Sequence, residues 1–381
     1  MSSVDRKILV AANAAWNLVN FRAGLIRDLV AAGYEVVTVA PPDEYAPQLT
    51  ELGCRYIPLS MDNKGTHPGR DLLFFLRLLR LLRQENPAIY LGYTIKLNIY
   101  GSLAAHALGI PVINTIEGLG TVFMQKTWLT YFVSWLYRMS LLRSSKIYFL
   151  NDEDMTLFID NDLVPKPVAD RLPGIGVDLD HFVPVPLPDN TPLRFLLIAR
   201  MLWDKGVGEF VEAARMLRKQ GLDADFCLLG FLDVQNPAAI SRQQMDEWTA
   251  EGAIRYLGVS DNVAEEIALA DCIVLPSYRE GVPRTLLEAA AMARPIVATD
   301  AIGCRDVVDD GINGYLCKLR DAADLADKIA RMATLSHTER EAMGRRGRKK
   351  MEREFDEQIV INKYLQAIEE ILNRPESSLS G

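Results

Sequence analysis

Two glutamates stand eight positions apart around a Gly-Val-Pro turn, in the stretch SYREGVPRTLLEAAAMARPIVATD (277–300). Glu280 follows the apolar run CIVLPS, a predicted strand, and Glu288 lies inside the predicted helix after the turn. In parallel sheets, active sites gather at the edge where the strands end. Ionised carboxylates accept hydrogen bonds from hydroxyl groups, often two at once. The spacing alone leaves two interpretations open: one ligand held by both carboxylates, or two incidental glutamates of a strand–turn–helix unit.

The helix after the turn adds a second binding feature, its amino-terminal end. It is expected to start near Pro283 or Arg284, and proline is favourable at the first helical position because its missing N–H would be unpaired there anyway. The backbone amides that would point out of this positive helix end, a natural seat for phosphate, belong to Arg284, Thr285 and Leu286. Glu280 with Gly281 would flank that phosphate on one side and Glu288 on the other. A nucleotide sugar presents its groups in this order: hexose hydroxyls, diphosphate and ribose hydroxyls.

Two cations follow an earlier predicted strand, in the stretch LIARMLWDKGVGEFVEAA. Arg200 and Lys205 are expected at the same strand-end edge as Glu280. A guanidinium and an ammonium that converge there suit a diphosphate leaving group, the first as a fork and the second as a point charge. Taken alone, such residues are mostly solvent-facing charges. Their pairing with the Glu280 turn in one domain favours the ligand interpretation.

Short β-branched strands alternate with helices along most of the chain, which indicates parallel sheets covered on both faces. The stretch PGIGVDLDHFVPVPLPDNTPL (173–193) contains five prolines and no helical period, so it is predicted to be an interdomain linker. The sequence therefore predicts an α/β protein of two doubly wound Rossmann-like domains, residues 1–175 and 176–355, facing each other across a cleft. An amphipathic helix in residues 356–381 is expected to pack back on the first domain.

The bulk composition is that of an ordinary globular protein of 381 residues, with 49% apolar and 24% charged residues. This length suggests two domains. The five cysteines are scattered without a C-x-x-C pair, which suits buried free thiols in a reducing cytoplasm and argues against a disulfide framework or a zinc site. The start of the chain lacks a secretory signal pattern, and no apolar run reaches the roughly 18 residues of a spanning helix. A soluble or peripheral protein is predicted.

Positive charge is concentrated in one window of this acidic chain, whose net charge is −8. Residues 64–146 carry ten Lys or Arg and three acidic residues, a local balance of +7, which predicts an anionic partner. Arg77, Arg80 and Arg83 form a stripe on the apolar helix DLLFFLRLLRLLRQ (71–84), typical of helices that lie on anionic membranes. The alternative, that this helix simply buries its leucines, is held equally open. For TWLTYFVSWLYRMSLLRSSK (127–146), a core helix is favoured over a membrane contact.

The ordered motifs Arg200-x4-Lys205-Gly-Val and Glu280-Gly-x-Pro-x4-Glu288 resemble those of the retaining glycosyltransferases of family 4, which have the GT-B fold. GIGVDLDHF in the linker resembles the crossover segment of the same family, and the resemblance covers nearly the whole chain. It implies that Arg200 and Lys205 neutralise the diphosphate of the donor without a metal or another cofactor. It also implies that Glu280 contacts the donor hexose and Glu288 the ribose. Many relatives have a small residue in place of Arg284, so an extra phosphate or acceptor contact is expected there.

The stretch YLGVSDNVAEEIALAD (256–271) resembles the base-binding loop of the family, with contacts through backbone groups near Gly258 and Val263. The first domain departs from the common pattern. NAAWNLVNFR (13–22) replaces the Gly-Gly turn after the first strand, and no histidine stands where many relatives carry one against the donor sugar.

Several elements of the first domain, FR (21–22), K-x-N (96–98) and EGLG (117–120), resemble a bacterial subgroup of the family. That subgroup adds an N-acetylhexosamine, often in α1,3 linkage, to a polyprenyl-diphosphate-linked sugar. The resemblance implies a UDP-sugar donor, with GalNAc favoured. The candidate acceptor or donor contacts in this domain are Asn17, Arg22, Lys96, Asn98, Glu117 and Gly118. A loop carboxylate without function remains an alternative for Glu117, which follows the predicted strand VINTI.

The expected partners are the UDP-sugar, the lipid-linked acceptor and the anionic inner surface of the cytoplasmic membrane, with no nucleic acid. The expected location is the cytoplasm, with peripheral attachment to the inner membrane. Two alternatives stay open: a transferase for a soluble or lipopolysaccharide acceptor, and a noncatalytic nucleotide-sugar-binding subunit. A dinucleotide oxidoreductase ranks far below, because no G-x-G-x-x-G follows the first strand.

Overall fold

The structure, a computed structural model, describes residues 6–62, 67–117 and 128–373. The contacts of the chain divide it into two compact units. The first unit comprises Met1–Leu172 together with Gln358–Gly381, and the second comprises Pro173–Glu357. The predicted boundaries lie after residues 175 and 355.

The first unit is built on a parallel sheet. Its strands are β1 (Lys7–Ala11), β2 (Glu35–Ala40), β3 (Arg55–Pro58), β4 (Ile89–Tyr93), β5 (Val112–Ile116), β6 (Lys146–Phe149) and β7 (Ala169–Arg171). Among the described residues the seven strands lie in the order β3-β2-β1-β4-β5-β6-β7. The order reverses between β1 and β4, and β4 and β5 are buried along their whole length. The strand ends beside this reversal are where doubly wound sheets bind their ligands.

Helices cover this sheet, and most of them follow the predicted alternation. They are α1 (Ala15–Ala31), α2 (Ala46–Glu51), α3 (Pro68–Glu85), α4 (Ser102–Ala107), α5 (Trp128–Leu141) and α6 (Asp152–Asp160). The sequence predicts a single helix near 98–108. The structure differs in one respect, because a π-helical turn, Leu97–Gly101, precedes α4. The Tyr90 hydroxyl donates to the Leu97 carbonyl at 3.1 Å, and a Cβ on Gly101 would lie 1.9 Å from that hydroxyl. The wider turn and the glycine thus make room for the tyrosine.

The second unit repeats the architecture with a second parallel sheet. Its strands are β8 (Leu193–Ile198), β9 (Ala224–Leu229), β10 (Arg255–Tyr256), β11 (Cys272–Leu275), β12 (Ile296–Thr299) and β13 (Gly314–Cys317). Across residues 173–357, all of them described, the strand order is β10-β9-β8-β11-β12-β13. The order reverses between β8 and β11, so this unit also has a topological switch point.

The helices of the second unit are α7 (Val207–Lys219), α8 (Arg242–Ala250), α9 (Val263–Ala268), α10 (Arg284–Ala291), α11 (Cys304–Val307), α12 (Ala322–Thr334) and α13 (His337–Lys350). The last helix of the chain, α14 (Glu357–Leu372), belongs with the first unit except for its first residue. The prediction of two doubly wound α/β domains is confirmed. The five cysteines are buried and free, which confirms that part of the sequence analysis.

The proline-rich stretch is packed against the second unit. Val177 and Phe182 are buried in one of its core clusters. Arg294, fully buried at the start of β12, donates to carbonyl oxygens of the stretch and of neighbouring helix ends, namely those of Val185, Pro186, Ile267, Ala268 and Met292, over 2.9–3.2 Å. A segment with the composition of a linker is thereby ordered by one guanidinium.

Candidate functional site

Lys205 and Glu280 meet at the edge of the second sheet where its strands end. The Lys205 Nζ atom lies 2.5 Å from Glu280 Oε1. Lys205 follows β8 and Glu280 follows β11, the two strands at the switch point. The structure therefore brings together two residues that are 75 positions apart in sequence.

Glycine allows this meeting, because the two loops touch through their backbones. Gly206 has φ +71°, and a Cβ there would lie 2.1 Å from the Pro276 carbonyl oxygen. The Tyr278 amide donates to the Asp204 carbonyl at 2.9 Å, which ties the same two loops. Gly303, at φ +83°, packs in the same way, since its Cβ would meet backbone oxygens of the Glu280 turn at 2.4 and 2.7 Å. Any side chain at either glycine would push the loops apart.

Arg200 supplies an uncompensated positive charge at this edge. It lies two residues after the end of β8 and is exposed. Within the part of the chain that the structure describes, its guanidinium pairs with no carboxylate. An exposed guanidinium just after β8, the strand that also precedes Lys205, is suited to an anionic ligand.

The start of α10 lies within the predicted range, but one of its predicted free amides is engaged. The helix begins at Arg284, and Pro283 is the residue before it rather than its first residue. The Leu286 amide donates to the Pro283 carbonyl at 3.0 Å, so this amide is engaged inside the turn and is not available as predicted. The Thr285 hydroxyl donates to the Ile198 carbonyl at 3.2 Å and so fastens the helix start to the end of β8. Gly281 lies in the turn between Glu280 and this helix.

Glu288 is buried one turn inside α10 and is paired with the first residue of the helix. The Arg284 Nε atom lies 2.5 Å from Glu288 Oε1. Burial raises the pKa of Glu288 above its ordinary value, and the neighbouring Arg284 opposes that rise. A buried carboxylate with one cationic partner retains capacity to accept further hydrogen bonds.

The predicted base-binding loop lies at the ends of the neighbouring strands. Gly258, with φ +80°, follows β10, and its carbonyl accepts the Gly230 amide at 2.7 Å. A Cβ on Gly230 would lie 1.9 Å from the Ala199 carbonyl oxygen, so the loops after β8, β9 and β10 converge through backbone groups. Val263 is the first residue of α9. Backbone donors and acceptors are therefore concentrated on this side of the switch point.

In the first unit, Arg22 and Glu117 form an ion pair at the corresponding sheet edge. Arg22 lies on α1, and its Nη2 donates to Glu117 Oε1 immediately after β5. Asn17, on the same helix, is also buried. Gly118 lies outside the described residues. The structure thus places three of the candidate residues of this unit in or beside one α1–β5 neighbourhood.

The other two candidates, Lys96 and Asn98, lie in the segment that follows β4. Lys96 is 2.7 Å from Asp71 at the start of α3, and the Tyr100 hydroxyl donates to the second oxygen of Asp71 at 3.2 Å. Asn98 is buried, donates to the Thr115 carbonyl at 2.8 Å and accepts from Asn114 at 2.9 Å. Lys96 is therefore held by a partner that the sequence did not indicate, and Asn98 takes part in an internal network.

The helix α3 exposes both apolar and basic side chains. Arg77, Arg80 and Arg83 are exposed, as predicted for a stripe. Leu72, Leu73 and Leu76 are 59%, 49% and 49% exposed, whereas Phe74, Leu78, Leu81 and Leu82 are buried. On α5, Trp135, Met139 and Leu142, the residue just after its end, are exposed too. Core burial therefore accounts for only part of the apolar surface of each helix. In the described residues no helix is long and apolar enough to cross a membrane.

Solved structures of glycosyltransferases have the same fold. Anabaena Alr3699/HepE in complex with UDP and glucose matches 96% of this chain and 99% of its own, with a TM-score of 0.77 and 15% identity. A sucrose-phosphate synthase from Thermosynechococcus elongatus matches 96% of this chain and 99% of its own, with a TM-score of 0.78 and 18% identity. At this identity the likeness establishes the fold, which is GT-B.

Sequence relatives of known name extend over most of the chain. This chain is similar to the N,N'-diacetylbacillosaminyl-diphospho-undecaprenol alpha-1,3-N-acetylgalactosaminyltransferase of Campylobacter jejuni. The two are 28% identical over 94% of this chain and 97% of that protein. This chain is 24% identical to the UDP-Gal:alpha-D-GlcNAc-diphosphoundecaprenol alpha-1,3-galactosyltransferase of Escherichia coli, over 69% of this chain and 70% of that one.

Family models match both units. Residues 20–174 match the glycosyl transferase 4-like domain, and residues 192–334 match the glycosyl transferases group 1 domain, so most of the chain is covered. Both units thus match glycosyltransferase models, and the chain is a hexosyl or N-acetylhexosaminyl transferase of the group 1 and 4-like type. Its fold, the two family domains and the named relatives agree on this class.

Proposed function

We propose that this protein transfers an N-acetylhexosamine, GalNAc being favoured, from a UDP-sugar to a polyprenyl-diphosphate-linked sugar, in α1,3 linkage. The observation that carries the donor part is the Lys205–Glu280 pair beside the exposed Arg200 and the start of α10. The names of the two relatives, which specify sugars on diphospho-undecaprenol, support the acceptor part.

In the proposed reaction, the cations of the second unit stabilise the departing diphosphate. The bond from the anomeric carbon to the phosphate oxygen breaks, and the acceptor hydroxyl attacks from the same face, which retains the configuration. The leaving phosphate takes the proton of that hydroxyl. Arg200 and Lys205 oppose the charge that builds on the diphosphate, so neither a metal nor another cofactor is required.

The two glutamates orient the donor in this proposal. Glu280 accepts hydrogen bonds from the hexose. Lys205 then contacts the donor diphosphate as well as the Glu280 carboxylate. Glu288 accepts hydrogen bonds from the ribose hydroxyls, and Arg284 keeps it ionised and borders the phosphates. Backbone groups near Gly258 and at the start of α9 bind the base.

The acceptor side of the proposal rests on the first unit. Lys96, held at 2.7 Å by Asp71, is a candidate for the acceptor diphosphate. Asp71 lies in the first turn of α3, and the residues that follow it include the exposed Leu72, Leu73 and Leu76, so an apolar surface for lipid starts beside this cation. The arginines at the other end of α3 would contact anionic lipid headgroups. Peripheral attachment to the cytoplasmic face of the inner membrane follows from this proposal.

A donor panel with the purified chain tests the function. UDP-GalNAc, UDP-GlcNAc, UDP-Gal and UDP-Glc are each supplied with a short polyprenyl-diphosphate-linked N-acetylhexosamine, and UDP release and product mass are measured. UDP-GalNAc is expected to be consumed fastest, and EDTA should change turnover by no more than about twofold. If no donor is consumed, the proposal fails. Transfer to a soluble sugar but not to the lipid-linked one would replace its acceptor part.

A further inference from the structure

A buried arginine of the first unit holds the carboxylate that follows β5. Arg22 is only 3% exposed, whereas the Glu117 side chain with which it pairs is 25% exposed. The Arg22 guanidinium also lies over the ring of Tyr93, the last residue of β4, with its Cζ atom 4.2 Å from the ring centroid. The cation is therefore enclosed by protein, and the carboxylate reaches solvent at the sheet edge.

The last helix of the chain completes this enclosure. Tyr364 on α14 is 1% exposed, and its hydroxyl shares a hydrogen bond with the Thr115 hydroxyl on β5. Its ring centroid lies 6.3 Å from that of Tyr93. Two tyrosines thus stand behind the Arg22–Glu117 pair, and one of them comes from the opposite end of the chain.

The charge on Arg22 is matched inside the protein. Burial acts to lower the pKa of Arg22, but Glu117 and the two tyrosines raise it, and the net direction is upward. A buried guanidinium that loses its carboxylate would be left uncompensated, which is strongly unfavourable. Arg22 is therefore paired with Glu117 inside the protein, and it is poorly suited to the direct substrate contact that the sequence suggested.

We infer that Arg22 and Tyr364 are positioning residues, which aim the Glu117 carboxylate at a hydroxyl of the acceptor sugar. The inference rests on the proposed transfer reaction. Glu117 stands where β5 ends, next to the switch-point strand β4, where doubly wound sheets bind ligands. It accepts a hydrogen bond from the hydroxyl and takes no proton. Arg22 and Tyr364 touch only protein, and their role is to fix the direction of the carboxylate.

Kinetics of single and double variants test this inference. Glu117→Gln and Arg22→Lys should each lower kcat/KM for the lipid-linked acceptor about 10- to 100-fold, because a displacement of about 1 Å can cost that much. The KM for the UDP-sugar should stay within about twofold. The double variant should have an acceptor kcat/KM no lower than that of the less active single variant. The reason is that both changes disrupt the same arrangement, so their effects do not add.

Two tyrosines that link the sheet to α14, Tyr364 on α14 and Tyr148 on β6, provide a matched pair of variants. Tyr364→Phe removes the hydrogen bond to Thr115, and we expect acceptor kcat/KM to fall about threefold to tenfold. Tyr148→Phe removes a hydrogen bond to the adjacent Lys363 carbonyl, 2.8 Å long, and should leave acceptor kinetics unchanged. UDP binding measured by calorimetry reports that each variant is folded.

Three results would overturn the inference while leaving the proposed function intact. They are multiplicative losses in the double variant, a UDP-sugar KM that rises as much as the acceptor KM, and equal losses in the two tyrosine variants. Absence of any transfer by the wild-type protein would instead remove the proposed function, and this inference with it.

Discussion

At the scale of single residues, both donor-site glutamates are paired with cations in the free protein. Glu280 is bound to Lys205 and Glu288 to Arg284, each at 2.5 Å. In the proposed function, binding of a nucleotide diphosphate redistributes these existing ion pairs rather than filling a site of free charges. Such an exchange limits the cost of leaving buried charges unpaired before the donor arrives.

Removal of the Lys205 ammonium should strongly lower the rate of sugar transfer. We expect Lys205→Ala to lower kcat/KM about 100- to 1000-fold, because it removes one group that stabilises the departing charge. UDP release assays and calorimetric UDP binding measure the effect. Lys219→Ala, at an exposed lysine in the last turn of α7, is the matched control. Near-normal turnover in Lys205→Ala would contradict the assigned role.

Donor affinity should depend on pH through Glu288. Its pKa is raised by burial, so donor binding should weaken as the pH falls toward that raised value and the carboxylate is protonated. Arg284→Met removes the opposing cation, which should shift this weakening to higher pH, whereas Glu288→Gln should give weak, pH-independent binding. Calorimetric titration with UDP at several pH values measures it. Identical pH profiles for the wild type and Arg284→Met would argue against the coupling.

The same raised pKa has the opposite consequence for folding. The folded state holds the Glu288 proton more tightly than the unfolded chain does, so this group favours folding at low pH. That contribution is lost as the pH rises through the raised pKa. A fall in pH through the raised pKa of Glu288 should therefore weaken donor binding and increase the contribution of this residue to the free energy of unfolding.

The candidate donor residues could be picked out, and the meeting of Lys205 with Glu280 expected, because each motif is short and contiguous. Glu280, Glu288, Arg200 and Lys205 stand at fixed spacings after apolar strands. The partners Tyr364 and Thr115, by contrast, are 249 positions apart, and no local pattern links them. Asp71 likewise reads as an ordinary residue of a helix start, and its contact with Lys96 exists only once the sheet is formed.

At the scale of elements, the helix α3 carries two surfaces. The sequence predicts a helix over 70–85, and the structure has Pro68–Glu85. Its periodicity could not decide between core and membrane, because the helix has more apolar residues than one buried face accommodates. The exposed leucines lie toward its start and the exposed arginines toward its end.

Membrane binding should depend on both halves of that helix. Replacing Arg77, Arg80 and Arg83 with Gln should weaken binding to phosphatidylglycerol vesicles about 100-fold, at about 1 kcal/mol per arginine. The loss should shrink as salt is added. Replacing Leu72, Leu73 and Leu76 with Ser should weaken binding at every salt concentration. Vesicle cosedimentation measures both effects, with Leu319→Ser in the second unit as control. Unchanged binding in both triple variants would exclude α3 as the contact.

The segment 173–193 shows how a buried cation orders a stretch of irregular chain. Arg294→Met should leave several buried carbonyls without a donor and lower the free energy of unfolding of the second unit by about 3 kcal/mol or more. Urea denaturation and proteolysis within 173–193 measure this. Arg346→Met is the control, since this exposed arginine makes one carbonyl contact at 2.8 Å. Equal stability of the two variants would show that the Arg294 contacts contribute little.

At the scale of the whole molecule, the alternation of strands and helices was enough to predict two doubly wound domains. The boundaries were harder to predict, because the proline-rich stretch has the composition of a linker and yet packs on the second unit. The proline-rich composition predicts only how the segment would behave in isolation. Its place in the fold is determined by its contacts with Arg294 and by the burial of its apolar residues. The last helix leaves the second unit near Glu357 for the same kind of reason, since its apolar face has its partners in the first unit.

The two places where the chain passes between the units lie side by side. The Val177 amide donates to the Phe355 carbonyl at 2.9 Å, the Glu357 amide donates to the Val177 carbonyl at 3.1 Å, and Gly176 leaves no room for a Cβ beside Glu357. In topological terms, the second unit is an insertion within the chain of the first, with adjacent entry and exit points. Such insertions are readily exchanged. We expect a chimera that carries the 173–357 counterpart of a UDP-Gal-dependent relative to switch donor and keep its acceptor, as product mass spectrometry would report; an unchanged donor preference would show that the first unit selects the sugar.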